Sequence, residues 1–593
     1  MSEQVAPDLG SLPEWDLSDL YQGPDADAIK RDLDTAETRA KALQQTFQGK
    51  MTEIGAEQFG LMIAEYEEIS ELLGRVLSFA QLRYAKNVTD PARGQFSQSV
   101  QERATAISAY TLFVTLEINH LDDEVYTQKL RSPVTARYRP WLDEVRAFRP
   151  HQLSDELEQF ELDKSVAGTR MWIRLFSETL ARLRFPLDGE SLTSAQALNC
   201  LTDPDGEKRK RAAKSLGAVL GENSPVFALI TNTLIKDKEI EDKWRSYSHP
   251  WSYRNLANQV EDEVVDALLT AVRDSYPRLS HRYYALKAKW FGQDRLDYWD
   301  RNAPLPKVED RSWTWEQARD AVLDAYGRFS PAMAQAGRRF FTSGWIDAPV
   351  MPGKSPGAFA HPTVPSAHPY LLVNFMGKTR DVMTIAHELG HGVHQLLAAD
   401  QGYFLSNTPL TLAETASVFG EMLTFQALVS AETDPVKRRA LVAGKVEDML
   451  NTVIRQIAFY DFERRLHTER RGGELSAERI GQIWMDVQRE SLGPSFRFDD
   501  EYRHYWTYIS HFVHAPFYVY AYAFGDCLVN SLYSAYRSGL ADFEPKYIDL
   551  LKAGGTLHHK DLLAPFGLDA SDPGFWRKGL DVIAAMIDEL DSD

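Results

Sequence analysis

Cysteine is nearly absent from this 593-residue chain: Cys200 and Cys527 are the only two, and they lie far apart. A disulfide framework needs more of them at closer spacing, so both read as packing residues in a reducing compartment. Long apolar runs are missing too. No stretch reaches the roughly 18 uninterrupted apolar residues that a membrane span requires. The opening MSEQVAPDLGSLPEWDLSDLY has neither a basic n-region nor an apolar h-region, so it does not read as a signal peptide. Positive charge is in deficit, with 66 Lys and Arg against 85 Asp and Glu and a net charge of -19. A surface that tracks phosphates needs clustered cations, and no sustained basic run occurs, which argues against nucleic acid as a partner. Fixed-period repeats and low-complexity tracts are also lacking. The absences together point to a cytoplasmic globular protein with no membrane or nucleic-acid partner, and they leave its oligomeric state open.

What is present is helical periodicity. Met62, Tyr66, Ile69, Leu73, Val76 and Ala80 step by three and four, which lays one apolar stripe along a helix. Glu67, Glu68 and Glu71 between them are expected on the surface. Similar patterns run through 92–120, 207–222 and 262–290. Asp203-Pro204-Asp205-Gly206 reads as a turn that opens a new helix. The main interruption is 343–372, too rich in proline and glycine for helix. PYLLVNF (369–375) is the best strand candidate, either a plain core strand or an edge strand able to bind extended peptide. The expected fold is mainly α with a small antiparallel sheet. A soft boundary near residue 200 separates helical hairpins from a remainder, 201–593, that carries the chemical motifs.

The central motif is HELGH, residues 387–391. In a helix running through VMTIAHELGHGVHQLLAA, capped by Asp381 and stopped near Gly402, His387 and His391 sit one turn apart on one face. Both imidazoles can reach one metal ion. Glu388 lies about 100° around the helix, off the ligand face but within reach of a water on the metal. That is the pattern of a metal-assisted hydrolase: two ligands and an adjacent general base. Five residues can also arise by chance as two surface histidines. Apolar neighbours (Ile385, Ala386, Leu389, Val393, Leu396) argue for a buried helix instead. Gly390 and Gly392 each cost about 1 kcal/mol relative to alanine in a helix interior, so something is expected to approach closely there.

A catalytic zinc takes three protein ligands and keeps one open position. His394 lies nearly two turns from His387, and one straight helix cannot bring all three rings together. Glu414, in TLAETASVFGEMLTFQ, is the better third ligand, on a segment able to fold back after the 401–409 loop. Glu421 follows seven residues on and suits a hydrogen bond to a ligand histidine.

LLVNFMGKTRDVMTIAHELGHGVHQLL with AETASVFGE after it resembles the oligoendopeptidase F branch of the thimet oligopeptidase-like zinc peptidases. WDLSDLY, RNLANQVEDEVVDALL, RYYALKAKWFG, HFVHAPFYVYAYAFG and DPGFWRKGLDVI extend the resemblance over most of the chain. It implies a helical bowl- or clam-shaped body around a deep channel, and hydrolysis of internal bonds in short peptides. It also implies one zinc per chain held by His387, His391 and Glu414, with Glu388 as base. In such peptidases a histidine and tyrosines from the HFVHAPFYVYAYAFG region act on the substrate carbonyl. The best matches are His511, Tyr518 and Tyr522, the two tyrosines sharing a face if Pro516 opens a helix. Tyr520 would point away.

Two rivals remain. A metallo-carboxypeptidase on a similar scaffold would need a cation for the substrate's C-terminal carboxylate. A catalytically inactive peptide-binding protein would have no need of HExxH and Glu414 intact. A structural zinc site would favour four Cys or His ligands.

Overall fold

In a computed structural model, residues 9–165, 167–305 and 311–592 are described. The chain is mainly helical, with three small sheets among the described residues. It divides into two compact units, each assembled from three segments. The first comprises 1–149, 310–431 and 535–567, and the second 150–309, 432–534 and 568–593. The break expected near residue 200 falls inside the second unit, and 201–593 is shared between both. Local composition marks where helices stop; it does not mark where the chain leaves one packed body for another.

In the first unit the predicted stripe lies on the Ala56–Lys86 helix, with Met62, Ile69, Leu73, Val76 and Ala80 all buried. Glu67 departs from expectation. It is buried, and its carboxylate accepts the Tyr138 hydroxyl at 2.7 Å and the Phe404 N–H at 3.0 Å. Charge on an otherwise apolar face is tolerated because both oxygens are used.

The expected sheet is three-stranded and mixed rather than purely antiparallel. Tyr370–Leu372 is its central strand, parallel to Ile346–Asp347 and antiparallel to Phe359–His361. PYLLVNF is therefore the plain core strand, buried at 370–372. The exposed edge belongs to Phe359–His361, inside the proline-rich stretch. That stretch is tied to the sheet by Lys354, whose ammonium pairs with buried Asp347 at 2.8 Å. The same ammonium donates to the carbonyls of Asp347, Pro349 and Val373. Lys354→Met would strand a buried carboxylate and three carbonyls. It is expected to cost about 3 kcal/mol, the lower end for a broken buried pair because Lys86 also lies 3.4 Å from Asp347. The urea midpoint of this variant, at unchanged slope, measures the loss.

In the second unit the 203–206 turn opens a long helix, Gly206–Trp244, capped by the Asp205 side chain on the Glu207 N–H. The 262–290 pattern is two helices, Asp262–Ser275 and Ser280–Trp290. Cys527 is buried, Cys200 is partly exposed, and both are free thiols. No helix among the described residues is long and apolar enough to cross a membrane.

Candidate metal and peptidase site

The HELGH helix spans Thr379–Ala398. Asp381 stands in its first turn rather than at the cap, and its carboxylate accepts the N–H groups of Met376 and Lys378 at 2.8 and 2.9 Å. After a short 3-10 turn, Gly402 with φ +89° ends the segment. The two interior glycines are contact points, as their cost in a helix implied. A Cβ on Gly390 would overlap the Ala416 carbonyl and stand 2.6 Å from Ser417 Cα; one on Gly392 would stand 2.6 Å from Phe340 Cζ. Gly390 thus lets the backbone after Glu414 lie directly on the HELGH helix.

That backbone is a turn, not a helix interior. Glu414 ends the short helix Leu410–Ala413, and a second helix, Ser417–Ala431, begins three residues later. The Ser417 hydroxyl donates to Glu414 Oε2 at 2.6 Å and aims the carboxylate. Two buried tyrosines from distant sequence pin the backbones on either side: Tyr326 donates to the Ala386 carbonyl at 2.5 Å and Tyr547 to the Thr415 carbonyl at 2.7 Å. No local pattern announced either tyrosine, because the contacts are made across the fold.

His387, His391 and Glu414 converge, each offering one ligand atom, with all three atoms within 4.8 Å of one another. Glu414 Oε2 is 3.3 Å from His387 Nε2 and 3.5 Å from His391 Nε2. The other ring nitrogen of His387 meets Glu421 Oε2 at 3.1 Å. His394 is outside this group and buried, and burial pushes it down to about 4, so it is a neutral packing imidazole. Glu388 is also buried. Burial lifts its carboxyl to about 7, with Glu414 adding to the rise while His387 and the Ala360 N–H of the edge strand oppose it. Burial opposes a charged His387, but Glu421, Glu414 and Glu388 outweigh it and hold the ring up to about 9.

Three glutamates around two histidines form a pocket in need of positive charge. Two imidazole nitrogens and one carboxylate oxygen, with one side left open, are a donor set that fits a zinc ion. His391 also lines a cleft of about 650 Å³ within the first unit, whose wall includes Trp141, Pro362, Val364, Tyr403 and Phe404. The Trp141 and Phe404 rings stack at 4.7 Å.

In the second unit, His511, Tyr518 and Tyr522 stand together. His511 Nε2 is 3.3 Å from the Tyr522 hydroxyl, and the Tyr518 ring is 5.3 Å from that of Tyr522 and 6.2 Å from that of His511. The helix, however, starts at Tyr520, not Pro516. Tyr518 precedes it in a turn, its N–H donating to the Ala515 carbonyl. Tyr520 is core: it is fully buried and its hydroxyl accepts from Asn258 at 2.9 Å.

A helical scaffold that brings an HExxH helix and a downstream glutamate together in this way is that of a metal-dependent peptidase. Residues 200–582 match the model of peptidase family M3, and residues 117–185 match that of oligopeptidase F. The chain belongs to peptidase family M3 and is a metallo-oligopeptidase. It is 25% identical to oligopeptidase PepF of Bacillus subtilis over 97% of this chain and 86% of that one. It is likewise 25% identical to the group B oligopeptidase PepB of Streptococcus agalactiae, over 98% and 96%. In fold it is similar to oligoendopeptidase F from Enterococcus faecium, with a TM-score of 0.71 at 20% identity, covering 95% and 97% of the two chains.

Proposed function

We propose that this protein is a zinc-dependent endopeptidase of short peptides, with one zinc per chain held by His387, His391 and Glu414 and with Glu388 as the general base. The observation that carries the reading is the convergence of those three ligand atoms beside a buried Glu388. Zinc in such a set supplies a Lewis acid that acidifies a water and polarises the scissile carbonyl. Glu388 takes the proton of that water as its oxygen attacks the carbonyl carbon, and then delivers it to the departing amine nitrogen. A carboxyl at this place must accept the proton and release it again. His511, Tyr518 and Tyr522 are proposed to donate hydrogen bonds to the oxyanion that develops on the carbonyl oxygen. An extended peptide is proposed to lie along the edge strand Phe359–His361, whose Ala360 N–H already serves Glu388, and the cleft beside His391 offers an apolar, aromatic wall to a side chain.

Glu421 orients His387 rather than binding metal. Glu421→Gln is expected to weaken zinc affinity about 10–100-fold, the usual cost of losing such a partner. Competition with a chelator of known affinity reads the shift.

Peptides with amidated C-termini separate the proposed reading from its nearest rival. An endopeptidase cuts them internally; a carboxypeptidase that must grip a free carboxylate leaves them intact. Stepwise trimming confined to free C-termini would overturn the proposal.

A further inference from the structure

Phe517 immediately precedes Tyr518 and sits in left-handed backbone, φ +59°. Bulky side chains rarely adopt that region, and where they do the surroundings hold them there. The ring is fully buried, 4.6 Å from His467 and 6.0 Å from Tyr460. The Phe517 N–H donates to Glu463 Oε1 at 2.9 Å. Glu463 comes from the helix Ile454–Arg470 and is 1% exposed. Its second oxygen has no hydrogen-bond partner among the described residues. A carboxyl in that position is costly, and an apolar residue of equal size would pack the helix better. Burial raises it to about 8 despite the opposing Phe517 N–H and Arg254. The other end of the same peptide is also held, because Arg254 Nε donates to the Pro516 carbonyl at 3.3 Å.

We propose that Glu463 is a positioning residue for peptide hydrolysis: by accepting the Phe517 N–H it holds the left-handed turn that sets Tyr518 and Tyr522 beside His511. The proposal rests on the reading of those three side chains as oxyanion donors. Glu463 is buried and lies outside the His387, His391 and Glu414 group. It acts by fixing a backbone turn, and a displacement of about 1 Å in a donor costs on the order of 100-fold in rate.

The test compares Glu463→Gln, which keeps an acceptor oxygen, with Glu463→Met, which keeps the volume and loses the acceptor. Tyr518→Phe and Tyr522→Phe are measured alongside. The expected result is a Met variant with kcat down about 10–100-fold, KM and zinc content unchanged, and thermal stability equal to or above that of the parent. The Gln variant should stay within a few-fold of the parent. A role in packing alone predicts the reverse order, with loss of stability and activity together. A stable Met variant with parental kcat overturns the proposal while the tyrosine variants are impaired. Tyrosine variants with parental kcat overturn the donor reading, and the proposal with it. Should the Met variant fail to fold, hydrogen exchange at the Phe517 amide in the parent decides: slow exchange supports the clamp, and exchange at the rate of an open loop overturns it.

Discussion

Glu388→Gln is expected to retain stoichiometric zinc and to lose about 10³-fold in kcat, within the range of 10²–10⁴ that general acid–base catalysis contributes. The substitution conserves volume in a buried site, so the helix and the neighbouring His387 and His391 stay in place. What it removes is the ability to accept and return a proton. Metal analysis on the purified variant, together with turnover of an internally quenched peptide, separates the two effects. Near-parental turnover would remove Glu388 from the proton path. Loss of metal would recast it as a group that maintains the zinc site.

The second large effect falls on Glu414. Glu414→Ala leaves two imidazoles for the metal and leaves the Ser417 hydroxyl without its 2.6 Å acceptor. Zinc affinity should fall further than for Glu421→Gln, beyond the roughly 100-fold that an outer partner is worth. Activity should vanish at zinc concentrations that saturate the parent. The contrast between the two glutamates is the informative part. They lie seven residues apart and both contact His387, but Glu414 meets both rings on the side where they converge and Glu421 meets the opposite nitrogen of one. Equal effects on affinity would contradict that division of labour.

The parts of this site that could be read from the sequence are those fixed by local geometry. An i, i+4 pair on a helix must share a face, so His387, Glu388 and His391 followed from five letters. The two glycines in that helix announced close neighbours, which proved to be the backbone at Ala416 and Ser417 for Gly390 and the Phe340 ring for Gly392. Glu414 and Glu421 followed less directly, from charge inside an apolar segment. The turn that places Glu414 was not legible, because Ser417 orients it from three residues away and Tyr547 anchors it from another part of the chain.

Elsewhere the misses share a cause. PYLLVNF revealed a strand, but strand order depends on pairing between remote segments, so central and edge positions could not be told apart. The helix expected from Pro516 begins four residues late because Phe517 takes positive φ, which nothing in a phenylalanine predicts. Glu67 looked like surface charge because its partners, Tyr138 and Phe404, lie 71 and 337 residues away. The compact units follow contacts between remote segments and divide the chain at 149, 309, 431, 534 and 567.

On the proposed reading, a zinc ion held by His387, His391 and Glu414 is required for internal cleavage of short peptides. The most direct test incubates the purified protein with mixed short peptides and one folded protein. Chelated and zinc-restored samples run in parallel, and products are mapped by mass spectrometry. Internal cuts are expected in the peptides only, abolished by the chelator and restored by about one zinc per chain. Internal cleavage that persists in metal-free protein would contradict that reading.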